Sequence, residues 1–576
     1  MRGDAHTGQG TRRPARGAGA VRGALVVALL GVAAVACGTP SSDGSSGTIP
    51  PAGNAGVVES TETPQLGGTL TYGLGSETNG WNPGSSQWAP SGEEVAKTFF
   101  DTLSAYDEEA RIQPNLAAKF EHNDTYTQWV ITMRPGVTLH NGKPVDGKLV
   151  KANQEYLKSS ELTKRPYDPI DNFALNDDPL AVVVNMKEPW VNYPYALATQ
   201  IGVVVDQDWL VSKNVDKPIG TGPFSLESWT PEKELVVKKN PAYWRKDERG
   251  VQLPYLDKIV FRPITDDTSR TASLQKGDID VMQTSNAQDI ISFKEKGAKG
   301  EFQVFNAISG ETSESMAMLN TQAAPFDDLD ARMALAYATD KQNFIDTVAQ
   351  GLYQPANGPF APTSRWYNKA VETAYPQFDQ TKARELVDKV KAKHGGQFTF
   401  KLIGPPGTSV GQSLAVLQGQ WKEVGIDVQV DQIEQAQLIV QVLTGQYQAT
   451  VWQQFASPHP LGDSIWWHPQ ASAKIPDFAL NFARNEDPAI GAALDDGRHT
   501  TDPAKELADY QAVQERLAKD VPYVWLFHSQ ISVVARNNII NVVNYKLPPN
   551  DKGEQKKGLE LQNGSHPLYA TWIKPT

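Results

Sequence analysis

The stretch from Tyr447 to His468 combines flat aromatic rings with polar groups over a short length of chain. Large aromatic rings offer the apolar contact surface that holds peptide side chains or sugar rings. Each ring could equally be an ordinary core residue, because aromatic side chains are mostly buried. The stretch therefore supplies candidate contacts for a small solute, beside the reading of each ring as a core residue. The candidate rings are Trp452, Phe455, Trp466 and Trp467.

The same stretch contains three side chains that can bind metal ions. His459 and His468 flank Asp463, but their spacing matches no helical or finger pattern of metal ligands. The only cysteine of the chain, Cys37, lies far away in sequence, so a cysteine metal cluster is excluded. We therefore predict that the protein uses no metal and no cofactor.

Catalytic residues are harder to find in the sequence. His140 is a candidate base, yet it directly precedes an Asn-Gly pair that is typical of a tight turn. The sequence contains no His-Glu-x-x-His motif. The loop at residues 73–78 has only two of the three glycines of a dinucleotide loop. These observations predict a protein that is not an enzyme, with a cell-surface hydrolase as the rival class.

The N-terminus has the features of an export signal. Several arginines precede a short apolar run at residues 24–36, which is too short to span a bilayer. Small residues come directly before Cys37, and the run resembles a bacterial lipobox, in which this cysteine receives a diacylglycerol. Residues 38–65 are rich in Ser, Gly, Thr and Pro. We expect a signal peptide at 1–36, lipidation at Cys37 and a flexible tether at 37–65.

The charge and the length of the chain after the signal peptide limit its partners and its number of domains. The whole chain has a formal charge of −12, and removal of the arginine-rich signal makes it more acidic, which argues against nucleic acid as a partner. The residues after the tether are too many for one ordinary core, so two or three domains are expected.

Periodicity in the second half predicts a strand, a helix and a parallel strand between residues 397 and 433. One helix is predicted from Asp327/Asp328 to Gly351 and another from Asp379 to Gly395. In the first half a strand at 68–73 precedes a helix with a Ser91/Glu94 capping box. A final apolar strand is predicted at 523–534.

From Gly67 onward the chain resembles the extracellular solute-binding proteins of family 5, which serve peptide, dipeptide and nickel importers. Separate motifs carry the resemblance, and all of them occur in the family's order. They are Gly67-Gly68-Thr69-Leu70 with Trp81-Asn82-Pro83, Phe100-Asp101-Thr102-Leu103, Pro114-Asn115-Leu116-Ala117, Arg134 to Pro144, Gly220-Thr221-Gly222-Pro223-Phe224, Asn240-Pro241-Ala242-Tyr243-Trp244, and Pro325-Phe326-Asp327-Asp328 with Ala334 to Asp340.

The resemblance implies an α/β fold of the type II periplasmic-binding-protein kind, with two lobes joined by a two-crossing hinge. It also implies an extra α+β domain inserted in the first lobe. The expected boundaries are lobe I at 66–103, 216–309 and 521–576, the inserted domain at 104–215, and lobe II at 310–520.

The resemblance also implies which residues line the cleft between the lobes. In peptide-binding relatives the region after Tyr447 supplies an aromatic wall and an aspartate that pairs with the α-ammonium of the ligand. Here the matching positions fall near Gln454 and Ser457, so that aspartate is missing, and Asp463 is its possible substitute. The expected solute-binding residues are Glu77, Asn79, Trp81, Trp452, Gln454, Phe455, Trp466 and Trp525.

The function implied is that of an exported binding protein of an ABC importer, held at the outer face of the membrane or in the periplasm. We expect a monomer that captures an oligopeptide or peptide-like solute and passes it to membrane permease subunits. Because the aspartate is missing, a sugar, a siderophore-like compound or a metal chelate remains the alternative ligand.

Overall fold

Three larger β-sheets organise the part of the chain that the computed structural model describes, which comprises residues 53–212, 214–307, 313–454 and 457–575. The predicted signal peptide, Cys37 and the first part of the predicted tether lie outside these residues. Among the helices of the described part, none has the length and apolar character needed to cross a membrane.

The first sheet has seven strands and draws them from distant parts of the chain. Thr69–Leu74 lies at its centre and pairs in parallel with the strands on both sides. In spatial order the strands are Phe302–Phe305, Ser532–Arg536, Val281–Thr284, Thr69–Leu74, Lys258–Pro263, Glu234–Lys239 and Phe224–Thr230.

The second sheet has six strands and contains the predicted strand–helix–strand unit. Thr399–Gly404 and Asp427–Gln432 pair in parallel across the helix Thr408–Glu423, as the periodicity predicted. Leu414, Leu417 and Trp421 are buried on its inner face. In spatial order the strands are Gln354–Pro355, Tyr523–Ser529, Ser313–Leu319, Ala449–Gln454, Thr399–Gly404 and Asp427–Gln432.

The third sheet is antiparallel and has its own apolar core. In spatial order its strands are Ala117–His122, Gln128–Met133, Ala181–Met186 and Ile170–Ala174. The helix Gly147–Ser159 packs on it through Val150 and Leu157. Two further pairs of short strands are Ser104–Tyr106 with Ile112–Pro114, and Ile539–Ile540 with Trp572–Ile573.

The remaining α-helices connect or cover these sheets. They are Pro90–Phe99, Tyr193–Ala196, Gln207–Val211, Asp267–Lys276, Ala287–Ala298, Leu329–Ala338, Lys341–Ala349, Val371–Ala374, Gln380–Lys393, Gln435–Thr444, Ser464–Trp467, Pro488–His499 and Pro503–Asp520.

Local capping corrects two of the helix predictions. The expected helix from Asp327/Asp328 to Gly351 is two helices, because the Asp340 side chain accepts a hydrogen bond from Asn343 N and starts a second one. The expected capping box of Ser91 and Glu94 is also wrong, since the helix begins at Pro90. Ser91 Oγ instead donates to Gln283 Oε1, and Glu94 Oε2 accepts from His566 N.

The predicted final strand 523–534 is two strands in two different sheets. Tyr523–Ser529 pairs with Ser313–Leu319 in the six-stranded sheet, whereas Ser532–Arg536 pairs with Val281–Thr284 in the seven-stranded sheet. Residues 523–529 therefore lie in a different sheet from residues 532–536, although the sequence assigned both to the first lobe. Both strands are buried, and the polar residues His528, Ser529 and Gln530 lie at the change of sheet.

The end of the predicted tether is also not free chain. Ala55 exchanges two backbone hydrogen bonds with Val304, and Val58 N donates to Gln303 Oε1. The strand Phe302–Phe305 is an edge of its sheet, and an open edge offers backbone groups to any adjacent segment.

A buried carboxylate joins several of the segments that carry the family motifs. Asp101 accepts hydrogen bonds from Thr221 Oγ1 at 3.1 Å, from Tyr243 Oη at 3.0 Å and from Trp244 Nε1 at 3.0 Å. The guanidinium of Arg245 lies 3.7 Å away and packs against the Trp244 ring. A buried carboxylate requires such partners, so these segments must meet.

His140 has a structural role of the same kind. Its Nδ1 accepts from Gly220 N at 3.2 Å, so Nε2 carries the proton and donates to Gly222 O at 3.1 Å. The ring thus binds both sides of the Gly220–Gly222 turn only when it is neutral. Burial lowers the pKa of His140 to about 4.

Because the pKa of His140 is lower in the folded protein than in the unfolded chain, acid must weaken the fold through this residue. The stability is fully present above the unfolded value near pH 6.5 and is lost as the pH falls toward 4. We expect the difference in unfolding free energy between wild type and His140→Gln to shrink over this range by about 1.4 kcal/mol per pH unit. Denaturant titrations at several pH values measure it. The exposed His394→Gln is the control. An equal pH slope in both variants would contradict the stabilising role of the neutral His140 ring.

Candidate functional site

A cavity of about 890 Å³ lies where the three sheets and their helices meet. Trp88 and Phe100 line it from the core of the seven-stranded sheet, and Ile201 lines it from the core of the four-stranded sheet. Trp452 and Phe482 line it from the six-stranded sheet. Its volume is in the range of sites for small molecules.

One end of the cavity has an aromatic wall. Trp452 stands near the end of the strand Ala449–Gln454, and Trp466 belongs to the short helix Ser464–Trp467. Both rings pack against Phe482, with centroids 5.5 Å and 5.0 Å away. Because both tryptophans are only partly buried, their remaining ring surface is available to a solute.

Polar groups accompany the rings at this end. Gln454 is held by Trp452, whose Nε1 donates to Gln454 Oε1 at 3.2 Å. Ser457 and Asp463 line the same wall, and Ser457 N donates to the Asp463 carboxylate at 3.1 Å. The structure thus brings together three of the expected solute-binding residues, Trp452, Gln454 and Trp466, with the proposed substitute Asp463.

The other expected residues lie elsewhere. The Glu77 carboxylate accepts from Trp229 Nε1 at 2.7 Å and from Glu232 N at 2.8 Å, so it fastens a hairpin outside the cavity lining. Asn79 is exposed and also outside the lining. Trp81 is 2% exposed, because it packs in the core against Phe99. Phe455 lies outside the described residues.

Trp525 occupies a small chamber behind the wall. Its side chain is 1% exposed and lines a space of about 10 Å³ that Trp452, Trp466 and Glu314 also line. The candidate therefore contacts the back of the aromatic wall and does not line the large cavity.

The two histidines of the stretch have separate partners. His459 Nε2 lies 3.1 Å from Glu506 Oε1, and His468 Nε2 lies 3.3 Å from Asp495 Oδ1. Each Nδ1 accepts from a backbone N–H at the start of a helical turn. Within the described ranges, no group of three or more His, Cys, Asp and Glu side chains is arranged to hold a metal ion.

Two buried carboxyl groups influence each other at the aromatic end. Burial raises the pKa of Asp463 to about 8. Burial, and after it the negative charge of Asp463, raises the pKa of Glu314 well above its usual range. Sequence reasoning missed Glu314, although a period-two reading of its strand would have placed it on one face with the buried Met316 and Met318.

The four-stranded part also contacts the six-stranded part directly, beside the cavity. Arg498 forms an ion pair with Glu188 and accepts a backbone hydrogen bond from Val191 at 3.0 Å. Asn192 Nδ2 donates to Glu506 Oε1 at 3.0 Å. We call the contacts of residues 188–192 with Arg498 and Glu506 the latch. Arg498 also lines the cavity, so the latch closes one side of it.

Comparison with known proteins gives a family match and several relatives. The model of bacterial extracellular solute-binding proteins, family 5 Middle, matches residues 111–474. The glutathione-binding protein GsiB of Salmonella paratyphi A is 26% identical over 443 residues, which cover 75% of this chain and 83% of that protein.

Solved structures with the same fold cover most of the chain. The PBP AgaA of A. tumefaciens R10, in complex with agropinic acid, has a TM-score of 0.75 at 24% identity and covers 88% of this chain and 99% of its own. The periplasmic binding protein DppA of Helicobacter pylori, in complex with the peptide STSA, has a TM-score of 0.74 at 20% identity and covers 89% and 99%.

Loss of the latch should shift the molecule toward a more open form. Arg498→Gln removes the ion pair with the partly exposed Glu188, and such contacts contribute up to about 1 kcal/mol. We expect the ratio of closed to open molecules to fall roughly fivefold in the solute-free protein. Small-angle X-ray scattering measures this as a larger radius of gyration. The exposed Arg384→Gln is the control, and indistinguishable scattering from the two variants would contradict the latch.

Proposed function

Because the chain belongs to the bacterial extracellular solute-binding proteins of family 5, we propose that it captures an oligopeptide or peptide-like solute and delivers it to the permease of an ABC importer. The family and the mixed α/β fold expected from the sequence are both confirmed by these comparisons. The proteins that it resembles are binding proteins.

The observation that carries the proposal is the cavity between the sheets, with aromatic rings and a few polar groups at one end. The rings of Trp452 and Trp466 suit apolar side chains, and Gln454 suits peptide amides through its side-chain amide. The glutathione-binding relative and the peptide complex of the DppA structure support a peptide-like solute.

The proposed lobes follow the sheets. Lobe I is built on the seven-stranded sheet, with the four-stranded sheet as its insertion near residues 104–215, and lobe II is built on the six-stranded sheet. The chain passes between the two lobes after Phe305 and again after Ser529. Two adjacent crossings allow the lobes to close on a solute, and the closed form is then stabilised by contacts with both lobes.

We further propose that the protein acts outside the cytoplasm as a monomer attached through a diacylglycerol on Cys37. The residues around Cys37 resemble a lipobox. Two or more acyl chains give a stable anchor, whereas one chain gives only reversible binding. Metabolic labelling with a radioactive fatty acid, compared with Cys37→Ala, tests the attachment.

Native mass spectrometry tests the ligand class. The signal-free protein is produced in the bacterium that encodes it and is weighed before and after denaturation. A series of released peptide masses would support the proposal, whereas one non-peptide mass would favour a sugar, a siderophore-like compound or a metal chelate. Release of a cleaved product from an added peptide would instead point to a hydrolase.

Truncation of the aromatic wall tests the site itself. We expect Trp452→Ala and Trp466→Ala each to weaken binding of the recovered solute roughly tenfold to hundredfold, because each removes a large desolvated contact. Titration calorimetry gives the affinities. Trp229→Ala is the matched control, since Trp229 is a partly buried tryptophan outside the cavity lining. Equal affinities in all three variants would place the site elsewhere.

A further inference from the structure

The residues that the sequence assigned to solute binding in the proposed first lobe do not line the cavity. Glu77 fastens a hairpin outside the lining, Asn79 is exposed outside it, and Trp81 is buried in the core. A solute stabilises the closed form only through contacts with both lobes. The aromatic wall belongs to the six-stranded sheet, so the contacts of the first lobe must come from other residues around the seven-stranded sheet.

A tight turn near the C-terminus lines the cavity from this side. Gln562 and Ser565 exchange two backbone hydrogen bonds, of 2.9 Å and 2.8 Å. Between them, Asn563 and Gly564 have φ angles of 51° and 70°. Positive φ at both central residues is typical of a type I′ turn, for which Asn-Gly is a preferred sequence. Gln562 and Asn563 both line the large cavity.

Contacts with three other segments hold the turn in place. Gln283 Nε2 donates to Gly564 O at 2.8 Å, and His566 N donates to Glu94 Oε2 at 3.0 Å. Gly564 also lies against Ile531, so closely that a Cβ atom on the glycine would come within 2.3 Å of Ile531 Cγ2. Ile531 lies where the chain passes from the six-stranded to the seven-stranded sheet. The turn is therefore a well-fixed element beside that passage.

The two side chains of the turn keep hydrogen-bonding groups for a solute. Gln562 is half-buried, and its side-chain amide has no hydrogen-bond partner among the described residues. Asn563 is also half-buried, and its side-chain amide forms a hydrogen bond with the carboxyl group of Glu93. An amide side chain has two N–H donors and an oxygen that can accept twice, so most of this capacity is left over.

The charges beside the turn balance each other. In the described part of the chain, Glu93 and Lys97 are the charged residues that line the cavity from the segments around the seven-stranded sheet. They lie one turn apart on the helix Pro90–Phe99. Burial raises the pKa of Glu93, and the positive charge of Lys97 opposes that rise. A surface with amides and one balanced pair of charges suits an uncharged polar group, because an ion would need a counter-charge of its own.

We propose that Gln562 and Asn563 form the solute-binding site of the first lobe, and that their side-chain amides bind one uncharged peptide group of the solute. A peptide group has an N–H and a C=O, and an amide side chain offers the matching acceptor and donor. The proposal rests on the proposed function and adds to it the group of the solute that the first lobe recognises. Because the turn lies against Ile531, this contact is made beside the passage between the two lobes.

Ester analogues of a short peptide test the proposal by titration calorimetry. The probes are tetra-alanine and its three analogues in which lactic acid replaces the second, third or fourth alanine. Each replacement exchanges one peptide N–H for an ester oxygen, which removes a donor and leaves a weaker acceptor. We expect at least one analogue to bind the wild-type protein roughly threefold to tenfold more weakly than tetra-alanine, which is the effect of one lost hydrogen bond.

Variants of the turn assign the lost hydrogen bond to its protein partner. Asn563→Gly removes one amide and keeps the left-handed backbone, which glycine adopts readily, and Gln562→Ala removes the other amide. Each should bind tetra-alanine roughly threefold to tenfold more weakly, and in at least one variant the loss caused by one ester should disappear. Asn541→Gly is the matched control, because Asn541 also has a positive φ, of 56°, and lies outside the cavity lining. Near-ultraviolet circular dichroism shows whether each variant is folded, and either turn variant alone can decide.

The outcomes separate this site from peptide capture. Wild-type affinity for tetra-alanine in both turn variants would overturn the site and leave peptide capture standing. Weaker binding with every ester effect unchanged would overturn the assignment to a peptide group. If tetra-alanine does not bind, the turn variants are titrated with the solute recovered from the protein. Unchanged affinity then overturns the site, whereas a loss of affinity supports it for a solute that contains an amide and overturns the peptide-group assignment for a solute that contains none.

Discussion

The buried carboxylate of Asp101 is the interaction on which the first half of the molecule depends. A charge this deep in the fold requires donors, and the donors come from segments more than a hundred residues away, at Thr221 and at Tyr243 with Trp244. Arg245 adds the counter-charge and is itself packed between the rings of Trp244 and Tyr569. Three of the family motifs, those that contain Asp101, Thr221 and Tyr243, therefore meet around this one charge.

The six-stranded sheet is separate from this junction. In the described part of the chain, the segments after Phe305 and after Ser529 lead from one of the two large sheets to the other, and residues from both line the cavity. The aromatic wall that we propose for solute recognition, around Trp452, Trp466 and Asp463, belongs to the part of the chain built on this second sheet. The junction at Asp101 and the proposed recognition wall thus come from different parts of the sequence, and one fold can host different sites in this way.

The parts of the fold that local patterns determine were predictable. The strand–helix–strand unit at 399–432 depends on spacing within one segment, and so does the cap of Asp379 on the following helix. Features that depend on distant partners were not predictable. Ser91 caps nothing because Gln283 binds it, the predicted strand 523–534 divides between two sheets because each half pairs with a distant strand, and Glu314 becomes notable only beside Asp463. For the site, the sequence predicted that Trp81 and Glu77 line the cleft, and only the folded structure shows that Trp81 is covered by the core and that Glu77 binds Trp229 and Glu232.

The latch between residues 188–192 and Arg498 lies beside the cavity and is linked to the aromatic stretch, because Asp495 pairs with both Arg498 and His468. Under the proposed function, the wall selects the solute and the latch holds the two parts of the molecule together around it. Changes in the latch would then alter how long a captured molecule is retained, whereas changes in the wall would alter which molecule is captured. If the protein serves a transporter as proposed, mutation of residues 188–192 would adjust the dwell time of the solute without replacing any ring of the aromatic wall.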